Sequence, residues 1–290
     1  MPELPEVETI RRALDDRLVG RRVVRAILHR RDMLILPGDP PGGFSRSNTE
    51  AKPKRFTRGR LLQDARIERT LRHGKQLAIA GDDGRTVCVH LGMSGQLLLV
   101  QPDDGGESLG HVHAEWAFDD GTRLLFRDPR RFGGLWSFPS VEDLRRARWD
   151  GLGPDGLSLT ARQCSRALAA THRPVKGVLL DQSRIAGVGN IYADEALFAS
   201  GIRPTRPGDS IAKGEASALA REIRAVLRRA IRAGGSSLRD HRTPFGDPGS
   251  FQLSHKVYGR AGAPCGRCRT TLKGERLAQR ATVFCPACQH

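Results

Sequence analysis

Residues 76–91, Gln76-Leu-Ala-Ile-Ala-Gly-Asp-Asp-Gly-Arg-Thr-Val-Cys-Val-His-Leu91, place two short apolar runs on either side of Asp83-Gly84. An Asp-Gly pair between strand-forming runs accepts the positive φ angles of a tight reversal, so the two runs read as an antiparallel hairpin. Working outward, the same signals return at Val23 to Leu28, Gln96 to Val100, Val112 to Phe118 and Thr122 to Arg127, with Asp120-Gly121 joining the last pair. The turn pairs join neighbouring strands as hairpins. They predict a mostly antiparallel, two-layer sheet domain that ends near residue 138.

A helix precedes the sheet. Val7, Ile10, Leu14 and Leu18 follow helical spacing, Pro5 lies near the first turn, Glu6 and Glu8 are acids near its start, and Gly20 is the stop. Between about Pro37 and Arg60 a Pro- and Gly-rich, then basic, run has no periodicity and reads as a surface loop. Past Gly151-Leu-Gly-Pro154 the signal becomes helical, near 160–170, 175–181, 190–199 and 209–233. In the last of these Leu219, Ile223, Val226, Leu227, Ala230 and Ile231 make one apolar stripe, with Arg221, Arg224, Arg228 and Arg232 largely off it. Residues 234–260 read as loop. Strands first and helices afterwards give an α+β chain.

The last 26 residues contain Cys265-x2-Cys268-x16-Cys285-x2-Cys288. Two knuckles at this spacing can offer four thiolates to one tetrahedral Zn²⁺. Four sulfurs saturate the metal and leave no position for a reacting water, so the expected role is structural. Cys88 and Cys164 stand apart, in apolar or helical surroundings, and read as buried core thiols.

The 290 residues carry 48 Lys and Arg against 32 Asp and Glu, a formal charge of +16. Only 7 of the cations are Lys, and arginine favours bidentate phosphate contact, although codon bias produces the same skew. A nucleic acid is the natural partner for such a charge. No run approaches the roughly 18 apolar residues of a membrane span, and the acidic N-terminus is unlike a secretory signal. The expectation is a protein of the cell interior with no membrane partner.

Motifs in order along the chain carry a resemblance: Met1-Pro2-Glu3-Leu4-Pro5-Glu6-Val7-Glu8, His90-Leu-Gly-Met-Ser-Gly95, Asp128-Pro-Arg-Arg-Phe-Gly133, Gly187-Val-Gly-Asn-Ile-Tyr-Ala-Asp-Glu195, Val257-Tyr-Gly-Arg260 and the cysteine hairpin. Together they resemble the formamidopyrimidine-DNA glycosylases over essentially the whole length. The resemblance implies an N-terminal helix and β-sandwich catalytic domain (1–138) and a hinge (139–154). It then implies a helix-two-turn-helix DNA-binding domain with a lesion loop (155–252) and a zinc hairpin (253–290), with DNA in a basic cleft.

It also implies roles for single residues. Pro2, freed by removal of Met1, would attack the sugar as a secondary amine, whose pKa near 8 leaves part of it unprotonated at neutral pH. Glu3 would be the general acid/base and Glu6 the second, orienting carboxylate, where the plain alternative for both, and for Glu8, is complementing a helix dipole. Lys75, in Arg72-His-Gly-Lys75, would hold the phosphate beside the lesion, although a lysine before a strand is ordinarily a solvated edge residue. Arg280 would clamp the lesion phosphates, against a solubility role at a hairpin tip.

Met93, Arg130 and Phe132 would fill the void left by a flipped nucleotide, with Arg130 reading the orphaned cytosine; Met93 and Phe132 could instead be plain core. Asn190 would cap its helix while free backbone N–H groups there meet a phosphate. His111 would contact DNA, or serve as a structural strand histidine. Arg239 stands where some members have lysine, Thr171 where a basic residue is expected, and the loop of Thr243 to Phe251 is the one that folds over the flipped base.

The implied activity is excision of oxidised purines, 8-oxoguanine and formamidopyrimidines, followed by β,δ-elimination. Double-stranded DNA with oxidised bases or abasic sites would be the partner, one structural Zn²⁺ the cofactor, and a monomer in the cytoplasm, nucleoid-associated if bacterial, the expected state. Leu4 and Arg-Arg-Phe argue against the endonuclease VIII branch, which acts on oxidised pyrimidines. A non-catalytic zinc-ribbon DNA-binding protein would dispense with Pro2. A nucleobase deaminase needs an open metal position and a His-x-Glu signature that is absent.

Overall fold

The computed structural model describes residues 2–35, 61–102, 109–237 and 242–290. The Pro37 to Arg60 segment and Arg239 therefore lie outside the described residues. The chain forms two compact units. The first comprises Met1–Pro2, Glu6–Asp150 and Ser236–Gly249; the second comprises Glu3–Pro5, Gly151–Gly235 and Ser250–His290.

Helix α1 (Leu4–Leu18), which belongs to the first unit from Glu6 onward, begins three residues before the expected Val7; Pro5 is tolerated at its second position because first-turn N–H groups have no partner within a helix. Val7, Ile10, Leu14 and Leu18 are all at most 1% exposed, as the spacing predicts. Strands β1 (Val23–Leu28), β2 (Leu34–Ile35), β3 (Ile67–His73), β4 (Gln76–Gly81), β5 (Thr86–His90), β6 (Gln96–Val100), β7 (Val112–Phe118), β8 (Arg123–Arg127) and β9 (Gly134–Phe138) follow. They make two sheets, in the orders β1-β7-β8-β6 and β2-β9-β5-β4-β3.

Every pairing is antiparallel except β2 with β9. Asp83-Gly84 and Asp120-Gly121 close the β4–β5 and β7–β8 hairpins, as expected. The apolar side chains of both sheets and of α1 share one core, around Leu14, Ile79, Val89, Trp116 and Phe126. After β9 the chain makes helix α2 (Val141–Leu144) and a π-helical turn at Arg145–Trp149, which bury Leu144 and Trp149.

The second unit is helical: α3 (Ala161–Ala169), α4 (Val175–Leu180), α5 (Asn190–Ser200) and α6 (Lys213–Arg232). The stripe expected on α6 is buried throughout and packs with α3, α4, α5 and Leu4. Thr160 and Gln163 form a capping box at the start of α3. The C-terminal hairpin β10 (Lys273–Leu277) and β11 (Arg280–Phe284) rests on a small core with Phe198, Val257 and Leu272. No helix among the described residues is long and apolar enough to cross a membrane.

Candidate active site and nucleic-acid interface

In the first unit Pro2 is buried, two residues ahead of α1. One turn on, Glu6 is 1% exposed and its Oε1 accepts a 2.8 Å hydrogen bond from the Ser236 backbone N–H. A carboxylate this deep needs such a donor. Lys75 occupies the second position of the two-residue turn between β3 and β4, closed by the His73 and Gln76 pair, with Gly74 at φ +56. Its charge reaches His90, whose ring is pulled down to about 4 by burial first and then by Lys75 and Arg148. Neutral His90 accepts the Gly92 N–H at Nδ1 (3.1 Å) and so shapes the loop that carries Met93.

Asp128 ties that loop to the next. It is fully buried; Ser94 Oγ donates to one of its oxygens (2.6 Å) and the Gly133 N–H to the other (2.7 Å), while the Arg130 N–H reaches Ser94 Oγ (3.3 Å). The Asp128 N–H in turn donates to the His111 carbonyl (3.1 Å). Gly92, at φ +59, lets the loops approach, since a Cβ there would lie 2.3 Å from the Phe132 carbonyl carbon. The segments that carry Met93, His111, Arg130 and Phe132 are thereby tied together through Asp128.

Arg130 stacks its guanidinium 4.6 Å over the Phe132 ring, and both remain at least partly exposed, as does Met93. None of the three is plain core. The two histidines of Gly-His-Val-His divide the work: His113 is buried with Nε2 2.8 Å from the Asp128 carbonyl, and His111 is exposed at φ +67.

In the second unit Glu3 is 2% exposed and faces the start of α5. The Ile191 N–H donates to Oε1 (3.0 Å) and the Tyr192 N–H to Oε2 (3.5 Å). Two of the helix-terminal amides expected to meet a phosphate are therefore taken by Glu3, which satisfies part of the free donors that every helix N-terminus exposes. The expectation that Asn190 caps α5 is corrected as well. Gly189 is the N-cap, Asn190 is already the first helical residue, and its Nδ2 donates to the Ala281 carbonyl (3.0 Å).

Arg280 is exposed and opens β11 after a turn in which Ala278 and Gln279 both have positive φ. The strand behind it is held by a buried ion pair that the sequence reading missed. Lys176 and Asp194 are fully buried and 2.6 Å apart; Lys176 Nζ also donates to the Ala281 carbonyl (2.9 Å) and Thr282 Oγ1 (2.8 Å), and Asp194 accepts the Val283 N–H (3.1 Å). Burial raises the Asp194 carboxyl and lowers the Lys176 ammonium against their mutual attraction.

Glu195, too, has a part that its motif did not reveal. Its carboxylate collects the N–H groups of Lys256, Val257 and Tyr258, all within 3.0 Å, and so shapes the Val257-Tyr-Gly-Arg260 turn. A buried acid beside an apolar helix run was the available signal for both. Thr171 accepts the Arg173 N–H at 3.1 Å, and the Arg173 guanidinium is itself paired with Asp181 at 2.8 Å.

The sulfurs of Cys265, Cys268, Cys285 and Cys288 lie within 4.8 Å of one another, the single such group of potential metal ligands among the described residues. Zn–S bonds of about 2.3 Å in a tetrahedron separate sulfurs by roughly 3.8 Å. Cys268 Sγ is 3.5 Å from Cys285 Sγ and 3.4 Å from Cys288 Sγ, so the four thiols fit one structural zinc.

Three family models match in succession: the formamidopyrimidine-DNA glycosylase N-terminal domain over residues 1–135, the H2TH domain of the same enzymes over 152–242, and the zinc finger found in FPG and IleRS over 262–290. The formamidopyrimidine-DNA glycosylase of Laribacter hongkongensis is 40% identical over 292 residues, covering all of both chains. That of Chloroflexus aggregans is 39% identical, covering all of this chain and 98% of its own.

Among solved structures, MutM (Fpg) from Thermus thermophilus superposes with a TM-score of 0.81 at 38% identity, covering 99% of this chain and 98% of its own. A variant of Lactococcus lactis FPG in complex with Fapy-dG-containing DNA superposes with a TM-score of 0.84 at 28% identity over both whole chains. Matches this long and this continuous show that the chain belongs to the formamidopyrimidine-DNA glycosylase family.

Proposed function

We propose that Pro2, once Met1 has been removed, is the nucleophile with which this DNA glycosylase and AP lyase excises oxidised purines from duplex DNA. The secondary amine attacks the anomeric carbon, the C–N bond to the damaged base breaks, and the base departs with its bonding pair. The amine then loses its proton, and its lone pair forms the second C–N bond as the C1′–O4′ bond breaks and O4′ takes a proton from the acid; the ring-opened iminium acidifies the adjacent protons. Elimination of the 3′ and then the 5′ phosphate leaves a one-nucleotide gap.

Glu3 adjoins the amine in sequence and is the group to move protons at the sugar. Both its oxygens are anchored by backbone amides, so its carboxyl plane is fixed before substrate arrives. Glu6 orients the site, and Lys75 and Arg280 hold the phosphates that leave. Met93, Arg130 and Phe132 enter the stack in place of the flipped nucleotide; Arg130 reads the orphaned base, and His111 and Asn190 contact the backbone. Residues 1–138 form the catalytic domain and 139–154 the hinge. Residues 155–252 and the zinc hairpin, 253–290, bind DNA. The enzyme acts as a cytoplasmic monomer, without a membrane partner.

The observation that carries this reading is the seating of Glu3 on the Gly187-Val-Gly-Asn190 turn. It sets a buried acid beside a proline that becomes a chain terminus. The test is borohydride trapping of the Met1-processed protein on a duplex with one 8-oxoguanine opposite cytosine. Wild type is expected to give a covalent complex on a denaturing gel, with Pro2→Gly and Glu3→Gln giving little or none. A crosslink on thymine glycol but none on 8-oxoguanine would place the enzyme in the pyrimidine branch.

A further inference from the structure

Glu8 is an acid for which the mechanism has no use. It is the fifth residue of α1, beyond the first turn where a helix dipole favours a negative charge, yet it is only 6% exposed. Three guanidinium groups meet its carboxylate: Arg11 through Nε (3.1 Å) and its terminal nitrogen (3.2 Å), Arg12 through Nε (2.8 Å), and Arg72 through Nε (2.9 Å). Burial by itself raises the Glu8 carboxyl, and the three arginines outweigh it and bring the group down to about 2.

Arg11 and Arg12 are helix neighbours of the kind that exposed helices make routinely. Arg72 is different. It comes from β3, 64 residues away, and its side chain is as buried as that of Glu8, 8% exposed in each. One of its terminal nitrogens, Nη1, donates to the Gly74 carbonyl at 2.9 Å. That oxygen belongs to the peptide plane joining Gly74 to Lys75, from which the Lys75 side chain departs. A planar guanidinium engaged at both ends fixes the direction of whatever it bridges, which a flexible ammonium does not.

We propose that Glu8 and Arg72 are positioning residues for Lys75: the carboxylate on α1 holds the guanidinium, and the guanidinium sets the peptide plane that aims the lysine at the phosphate beside the lesion. The inference rests on the reading of Lys75 given above. It makes the hairpin turn an extension of the helix that the nucleophile shortly precedes. The two groups act through Lys75 and touch neither sugar nor phosphate.

The test uses the full-length, zinc-loaded, Met1-processed enzyme on a duplex with a single abasic site. Single-turnover strand cleavage and the salt dependence of binding are measured for Arg72→Lys, Glu8→Gln, Lys75→Ala and the double variant Arg72→Lys/Lys75→Ala, with a thermal melt of each to confirm folding at the assay temperature. Misplacement by about 1 Å costs up to about a hundredfold in rate, so Arg72→Lys and Glu8→Gln are expected to slow cleavage about tenfold to a hundredfold. Each should also flatten the slope of log K against log salt by about one, the loss of one phosphate contact.

In the Lys75→Ala background Arg72→Lys is expected to add nothing. Additive losses in the double variant, or an unchanged salt slope in Arg72→Lys, would overturn the proposal while leaving Lys75 its role. If Lys75→Ala itself cleaves and binds like wild type, the assignment of Lys75 falls first and this inference with it. Arg72→Lys keeps the positive charge beside Glu8, so it remains informative even if Glu8→Gln fails to fold.

Discussion

Gly189 occupies a place where no side chain fits, because a Cβ there would lie 2.3 Å from the carboxyl carbon of Glu3. The glycine exists to let a carboxylate lie against the N-terminus of α5. Gly189→Ala must therefore push Glu3 off the Ile191 and Tyr192 amides. The expected cost is about 1–3 kcal/mol of stability, from overpacking together with the loss of hydrogen bonds to a charged group. Borohydride trapping should fall at least about tenfold if Glu3 has the acid/base role proposed for it, since its carboxyl no longer stands where the proton is needed. A variant that melts lower but traps like wild type would separate Glu3 from the chemistry. The reading of residues could name Glu3, Asn190 and the glycines, because each stands in a short motif. It could not say that one serves another, since Glu3 and Ile191 are 188 positions apart. The misplaced cap on α5 has this origin: a local rule predicted Asn190, and a distant carboxylate had already met the need.

Elements were legible where side chains alternate or turn chemistry is explicit, and illegible where neighbours decide. β4, β5, β7 and β8 announce themselves by apolar runs joined by Asp-Gly turns, and β6 by its apolar run alone. β3 is an edge strand, Ile67-Glu-Arg-Thr-Leu-Arg-His73, whose charges hide its pattern, and β9 is a short run between Gly133 and Pro139 that becomes a strand only between β2 and β5. The zinc hairpin was legible in its ligands but not in its mooring. Lys176 and Asp194 sit on helices α4 and α5 and grip β11 by three residues in a row, Ala281, Thr282 and Val283. Truncating one partner leaves a buried charge alone, which costs about 3–5 kcal/mol, whereas replacing both by apolar groups can be nearly neutral. Lys176→Met is therefore expected to lower the unfolding free energy of the protein by about that much, and Lys176→Met/Asp194→Leu to recover most of it, in denaturant titrations. If the single variant were as stable as wild type, the pair would not be what holds the strand.

At the scale of the whole molecule, a charge of +16 favours DNA everywhere on the surface and cannot by itself say where. Stability against acid, by contrast, has an address. Glu8 and His90 both lie in the first unit, and both have pKa values depressed in the folded state, Glu8 from 4.5 to about 2 and His90 from 6.5 to about 4. A depressed pKa means that the unfolded chain binds the proton more readily, so the stabilisation is whole above the ordinary value and is lost as pH falls toward the folded one. The first unit should thus weaken in two overlapping stages, from pH 6.5 down to 4 through His90 and from 4.5 down to 2 through Glu8. All three tryptophans, Trp116, Trp136 and Trp149, are buried in this unit, so their emission follows its unfolding and not that of the helical one. Denaturant titrations followed by tryptophan emission should find Glu8→Gln less stable than wild type at pH 7, with a pH-dependent part on the order of 2 kcal/mol after screening by solvent around Arg12. That part should shrink below pH 4.5 and vanish only below about pH 2, once wild-type Glu8 is itself protonated. A gap that stays constant over the whole range would mean that the charge on Glu8 contributes nothing and that only its shape is needed.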